Sequence, residues 1–246
     1  MRKATVFVLS VISAVSCTRT IDPGQYASPQ TLLEAAIRET ERGNCIGAMP
    51  ALRSVMFELP PRDPQIAVAR FHLADCHVDQ GEYLEGSRQF RSVADEFPTH
   101  ELATEALLRS GNALARLWKR PELDPTYGMS AMATYTELIN RYPVSAEADS
   151  ARRMVAELSN RFAEKQFKAG QFYYRLKAYD SAIIYFESII ADYSRSNFVT
   201  RALLVLVDIY QKLGYEQERA ETCDHLYRFY PDTPGLSETC AGGPPT

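Results

Sequence analysis

A chain of 246 residues, 46% hydrophobic and 24% charged, is long enough to bury a core or build an elongated array and too apolar to be disordered throughout. With 27 basic against 31 acidic residues its formal charge is −4, and it has no basic block. That argues against a nucleic-acid partner, where cations must replace the phosphate counterions.

The first residues read as an address. "MRK" supplies a positive start, and "ATVFVLSVISA" (Ala4 to Ala14) is an apolar run of signal-peptide length, short for a membrane span. Cys17 follows in "AVSC", which resembles a bacterial lipobox, where the leader is cut before a cysteine that takes the lipid. Residues 1–16 are therefore read as a lipoprotein signal peptide and Cys17 as the lipidation site; the alternative is a plain secretory leader with an incidental cysteine. Residues 17–28 read as a lipidated tether, rich in turn formers and lacking helical periodicity.

From Thr31 to Pro231 apolar residues recur at three and four, and no segment alternates as a strand would. Stops fall at Leu59-Pro60, Phe97-Pro98, Tyr142-Pro143, Tyr193-Ser194 and Tyr230-Pro231. An apolar residue before proline ends a helix because proline pushes its predecessor out of the α region. Mid-unit turns fall at Gly43-Asn44, Gly81-Glu82 and Gly214-Tyr215, with Lys177-Ala178 in the equivalent place. Twelve residues before each of the first four stops stands a small residue, Ala48, Gly86, Ala131 and Ala182; eight before stands a large one, Leu52, Phe90, Tyr135 and Phe186. The first helices share small or apolar pairs: Ala35-Ala36, Leu73-Ala74, Ser110-Gly111, Ala169-Gly170 and Leu206-Val207. Each unit is a helix hairpin that cannot bury its own apolar face, so the units must stack. The expected fold is an all-α tetratricopeptide-repeat solenoid of five hairpins, the pattern whose period is about 34 residues. In the last unit the register reads as slipped by one, with Ala220 as the small residue.

Two irregularities and a tail complete the pass. "KRPELDPTYG" (Lys119 to Gly128) enlarges the third turn into a protruding loop, a type of segment that often carries contacts. The first helix of unit four runs from near Ser145 to about Arg175, roughly 46 Å at 1.5 Å per residue. It divides repeats 1–3 (residues 29–144) from repeats 4–5 (145–231), and 232–246 read as a flexible tail. Four cysteines remain besides Cys17. The second helix of unit one runs forward from Cys45 and the next helix returns beside it, bringing Cys45 near Cys76. Cys223 meets Cys240 if the chain reverses through "YPDTPG". Each pairing needs a Cα separation under about 7 Å, and free thiols are the alternative.

Together these features resemble the BamD family of outer-membrane β-barrel assembly lipoproteins. The most specific segment is "ELDPTYGMSAMATYTELINRYPVSAEADSARRMVAEL" followed by "YYRLKAYDSAIIYFESIIADY". The resemblance implies a non-enzymatic scaffold without cofactors, anchored by N-terminal acyl chains to the periplasmic face of the outer membrane. Its C-terminal repeats would hold the barrel insertase BamA through Tyr185, Glu187, Ser188 and Arg219. Its N-terminal repeats would receive unfolded outer-membrane proteins in a groove lined by Leu33, Ile37, Phe71, Asp75, Asn112 and Arg116. Apolar groups beside Arg116 suit an extended peptide with an aromatic end and a carboxylate.

Other classes have less behind them. The sequence has no glycine-rich phosphate loop, G-x-S-x-G elbow or H-E-x-x-H helix. "HLADCHVDQ" places His72, Asp75, Cys76 and Asp79 on one helical face, a spacing that metal sites use and that helices also produce by chance. A different periplasmic repeat scaffold, CpoB-like and concerned with envelope constriction, is the second reading. Such proteins usually carry an N-terminal coiled coil, and no sustained heptads precede Thr31.

Overall fold

The computed structural model describes residues 20–241; the leader and Cys17 lie outside the described residues. Ten of its helices pair as five hairpins: α1 (Pro29–Glu41) with α2 (Cys45–Glu58), α3 (Pro64–Asp79) with α4 (Tyr83–Glu96), α5 (Ala103–Leu117) with α6 (Thr126–Arg141), α7 (Ala146–Arg175) with α8 (Tyr179–Asp192), and α9 (Val199–Leu213) with α10 (Glu216–Phe229). A short α11 (Leu236–Thr239) ends the described chain, and no strand occurs among the described residues. Each second helix packs on the first helix of the next hairpin, so the fold is the all-α tetratricopeptide solenoid expected. No helix of the described residues is long and apolar enough to cross a membrane.

Local chemistry sets the boundaries. Ser28, Asn44, Asp63 and Ser145 cap α1, α2, α3 and α7 by accepting backbone N–H groups of the first turn. Gly43, Gly81 and Gly214 turn the first, second and fifth hairpins, at φ of 78°, 80° and 74°. Lys177 takes the same left-handed conformation at φ 59°, where a Cβ is a steric cost.

The register read from the stops is the register of burial. Ala48, Ala131 and Ala182 are fully covered, Gly86 is buried, and Leu52, Phe90, Tyr135 and Phe186 are sealed in the cores. Tyr135 lies so close to Gly111 that a Cβ there would collide with its ring, and a Cβ on Gly170 would come within 2.9 Å of Phe186.

The last repeat corrects the expected slip. Ala220 is exposed, and Arg219 occupies the position where the other repeats bury alanine or glycine. Cys223, only 5% exposed, stands where they bury a large apolar side chain. Only Cys223 and Leu226 of α10 are buried.

Chain 232–241, read as part of a flexible tail, folds back instead. Leu236 and Cys240 enter the core of α8–α10, and Cys240 is bonded to Cys223 across a Cα separation of 5.8 Å. The other bond joins Cys45 to Cys76 at 5.1 Å, tying α2 to α3.

The swollen turn is also shorter than expected, spanning 118–125. Asp124 accepts the Thr126 backbone N–H at 2.9 Å and starts α6 there. Gly128 is thus a helical residue and not a turn former: it is buried beneath the Trp118 ring, which a Cβ would strike.

α7 is a spine of about 45 Å, 30 residues at 1.5 Å each. Its Ala151, Leu158 and Phe162 join the core of α5 and α6; its Ala163 and Phe167 join that of α8–α10.

Two measurements check these arguments. Lys177→Gly removes the left-handed strain and is expected to stabilise the chain by about 1 kcal/mol, read as a raised urea midpoint. Replacing Cys223 and Cys240 together by serine is expected to cost about 2–4 kcal/mol, with hydrogen-exchange protection lost first in α10 and 232–241, because a four-residue helix cannot hold itself.

Candidate binding groove

Of the six groove residues expected, two are core. Leu33 is 6% and Phe71 4% exposed, Leu33 in the core of the first hairpins and Phe71 edge-on to Phe90 at 5.2 Å. They are the apolar contacts that seal the repeats, so neither reaches a peptide. Ile37 is half-buried against the same core as Leu33.

Asp75, Asn112 and Arg116 remain at the surface, and two of them are engaged. Asp75 is ion-paired with Arg109, which also holds Glu105 at 2.6 Å and lies 4.8 Å over the Phe71 ring. Burial raises the Asp75 carboxyl above its ordinary value, further than Arg109 lowers it. Burial opposes the Arg109 charge as well, yet Asp75 and Glu105 together hold its pKa above the usual value, since one guanidinium serves two carboxylates. Asn112 accepts the Tyr135 hydroxyl at 2.7 Å. Tyr135 is pushed well above the ordinary phenol value by burial and by the nearby Glu157 charge. Arg116 is exposed, 5.6 Å over the Tyr83 ring.

The residues of "HLADCHVDQ" do not converge. Cys76 is bonded to Cys45, Asp75 faces Arg109, and His72 Nδ1 lies 3.4 Å from Thr40 Oγ1. Burial lowers the His72 pKa.

Asn112 and Arg116 lead into a cavity of about 550 Å³ between α5, the 118–125 turn and α7. Lys119, Trp118, Met154 and Arg161 line it with them. Trp118 is 1% exposed and stacks on Phe162 at 4.5 Å; Arg161 lies 4.5 Å over the Trp118 ring and donates to the Trp118 carbonyl.

On the C-terminal repeats, Tyr185 stacks on Tyr173 at 5.3 Å, and Ser188 donates to the Tyr185 carbonyl at 2.8 Å. Glu187 is exposed but accepts the Tyr210 hydroxyl at 3.0 Å, fastening α8 to α9. Arg219 does not project outward as expected. Its side chain is 23% exposed, its Nε is buried without a partner, and its Nη2 is 3.4 Å from the Ala241 carbonyl. Phe172, Leu176 and Ile184, at 51%, 61% and 67% exposure, add apolar surface to this region; of these the apolar stripe read along α7 included only Leu176, which is exposed.

A family model described as YfiO, outer membrane lipoprotein, matches residues 25–226. The chain belongs to this family. Among curated relatives, the outer membrane protein assembly factor BamD of Neisseria meningitidis serogroup A is 29% identical over 168 residues, 68% of this chain and 57% of that protein. BamD of Vibrio cholerae serotype O1 is 32% identical over 95 residues, 39% of each chain. The matched part thus spans little more than half of the first relative's length and less of the second's. Among solved structures, a thermophilic TPR protein of Thermus thermophilus matches at 17% identity and TM-score 0.38, over 87% of this chain and 97% of that one. MamA protein matches at 16% identity and TM-score 0.37, over 82% of this chain and 95% of that one.

Trp118, Lys119 and Arg161 were missed because hydropathy period does not mark loop residues or a polar helix face. Arg109 left a trace: it lies 34 residues after Asp75, a separation that joins consecutive first helices and recurs in the Tyr174–Asp208 hydrogen bond.

Trp118 is the sequence's single tryptophan, so its emission reports on this site alone. Gly128→Ala is expected to displace the ring, shift the emission and cost about 1–3 kcal/mol by overpacking.

Proposed function

We propose that this chain is a non-enzymatic, lipid-anchored scaffold of outer-membrane β-barrel assembly, on the periplasmic face of the outer membrane. The observation that carries the reading is membership of the YfiO family over residues 25–226, together with relatives named as BamD assembly factors. Cys17 takes the acyl chains, and residues 17–28 tether the repeats to the bilayer. One acyl chain binds membranes only marginally, so several chains or a membrane-bound partner are needed for stable attachment.

The division of labour follows the spine. Repeats four and five present Tyr185 and Ser188, with Phe172, Leu176 and Ile184 beside them, to a BamA-like insertase. Their exposed apolar area and the stacked tyrosines suit a protein partner. The groove of repeats one to three, from Ile37 through Asp75 and Asn112 to Arg116, receives an unfolded outer-membrane protein as an extended segment.

The test is a pull-down of the tagged mature protein from gently solubilised envelopes, with co-purifying proteins identified by mass. A large outer-membrane barrel with repeated periplasmic domains is expected, and is expected to disappear when repeats four and five are removed. Cell-division or peptidoglycan proteins in its place would overturn the reading in favour of a CpoB-like role. In parallel, Cys17→Ala is expected to move the protein from the membrane to the soluble fraction; retention at the membrane would overturn lipid anchoring there.

A further inference from the structure

The chain ahead of the first repeat is not a loose tether. Ile21 packs against the core of the first hairpins, and its backbone N–H donates to the Gly47 carbonyl at 3.3 Å. Asp22 then caps a 3-10 turn over Pro23–Gln25, accepting the Gly24 N–H at 3.1 Å. Ser28 and Thr31 close a capping box at the start of α1. The segment is therefore fastened to the α1–α2 hairpin from Ile21 onward. Only residues 18–20 separate Ile21 from Cys17, and four peptide steps reach at most about 14 Å. The polar layer on each side of a bilayer is about 5–8 Å deep. A lipid carried by Cys17 thus holds Ile21 less than about 10 Å above the headgroups, within about one Debye length at 0.1 M salt.

At that place the hairpin has the chemistry of an interface. A cleft of about 360 Å³ opens between the fastened segment and α1, lined by Asp22, Tyr26, Arg38, Glu39 and Arg42 among others. Two guanidiniums against two carboxylates leave it neutral. Arg38 and Arg42 keep their side chains 56% and 69% exposed, and Arg38 is only loosely paired with Glu34, at 3.8 Å. Glu39 is shared between Arg42 at 2.7 Å and Asn44 at 2.8 Å. Tyr26, at 36% exposure, gives the cleft an aromatic edge, and Ile46, at 60%, stands next to the Gly47 that takes the Ile21 N–H. Exposed guanidiniums with a tyrosine and an aliphatic side chain match the boundary between headgroup phosphates and acyl chains. A chain of formal charge −4 gains little from a strongly anionic surface, whereas a neutral cleft of mixed charge suits a zwitterionic headgroup.

We propose that the first hairpin is seated on the bilayer. Arg38 and Arg42 hold the phosphate of a zwitterionic phospholipid headgroup, and Asp22 and Glu39 face its ammonium. The inference rests on the reading of Cys17 as the lipid-bearing residue. Tethering makes the seating intramolecular, so contacts too weak to recruit a free chain suffice. The first repeat is then fixed at the membrane, and the solenoid does not swing on its anchor.

Cys17 is the one of five cysteines outside the two disulfides, so the mature chain can be coupled through its thiol to a maleimide lipid. Coupled chain on vesicles of phosphatidylethanolamine and phosphatidylcholine is compared with coupled chain on vesicles of digalactosyl lipid, which carry no phosphate. Uncoupled chain in inorganic phosphate is the third arm. The rate at which phenylglyoxal modifies each arginine is read by peptide mass. Arg228 of the last repeat, 65% exposed and also ion-paired, is the internal reference. Arg38 and Arg42 are expected to be protected about tenfold relative to Arg228 on the phospholipid alone, one charge-assisted hydrogen bond being worth about that much. Arg38→Gln is expected to restore most of the Arg42 reactivity, and Arg42→Gln that of Arg38; neither side chain is buried, so the fold is kept. Equal protection on the galactolipid would mean crowding by the tether, and equal protection in free phosphate an ion site; either overturns the seating. Arginines as reactive as Arg228 on the phospholipid would overturn it too. Each of these results leaves the anchoring reading intact, whereas native Cys17 found without acyl chains overturns that reading and the seating with it.

Discussion

The structure depends on one packing constraint: in each hairpin a large side chain of the second helix fills a space that the first helix leaves by carrying a small residue. Tyr135 against Gly111 and Phe186 against Gly170 leave no room for a Cβ, and Phe90 packs in one core with Ala74. Close approach puts the two helix backbones near enough for the aromatic ring to be sealed on all sides, and a sealed aromatic is worth several kcal/mol. The hairpin's remaining apolar face is then too large to leave in water, so the next hairpin must cover it. Stacking, curvature and the polar groove are consequences of that pairing. Where it fails, in the last repeat, the first helix carries Val207 at the small position and the second carries Cys223 at the large one. There a covalent bond to Cys240 does what packing does elsewhere.

α7 adds a second constraint. A single unbroken helix belongs to two cores, one built with α5 and α6 and one with α8–α10. Tyr193, which packs against both, stacks on Phe162 at 6.1 Å near the point where the cores meet. α5 and α6 have 15 and 16 residues to the spine's 30, and the apolar residues near the spine's end, Phe172 and Leu176, are left substantially uncovered. The length that separates the two halves also creates the exposed surface of the C-terminal half.

Most of this architecture was legible in the sequence, because hydropathy, small residues and proline stops all report on backbone and burial. The α7 limits, the hairpin turns and the small and large positions were readable for that reason, including Lys177 standing in for glycine. Gly128 was misread because glycine has two uses. Its place among prolines suggested a turn, whereas its absent side chain makes room for Trp118. Ala220 was misread because a small residue was sought in α10 and the true position holds an arginine. Groove residues fared worse. Leu33 and Phe71 sit on first helices at positions that are concave by count, yet their length lets them turn back into the core, which periodicity alone does not resolve.

The polar groups divide by how fully the protein satisfies them. Across the first three repeats, Asp75, Arg109 and Glu105 neutralise one another, and Arg91, Glu137, Asp95 and Arg141 form a further network between α4 and α6. Such pairs are partly exposed and contribute modestly to stability, but opposite charges on successive helices penalise any stacking register that would separate them. They align repeats. About Trp118 the pairing is incomplete: where the third turn is enlarged, Arg161 reaches only the Trp118 carbonyl and ring, and the indole N–H has no acceptor. Irregularity in a repeat array thus has a definite chemical result. Regular stacking consumes polar groups between repeats, and where the third turn is enlarged the Trp118 indole N–H is left without an acceptor.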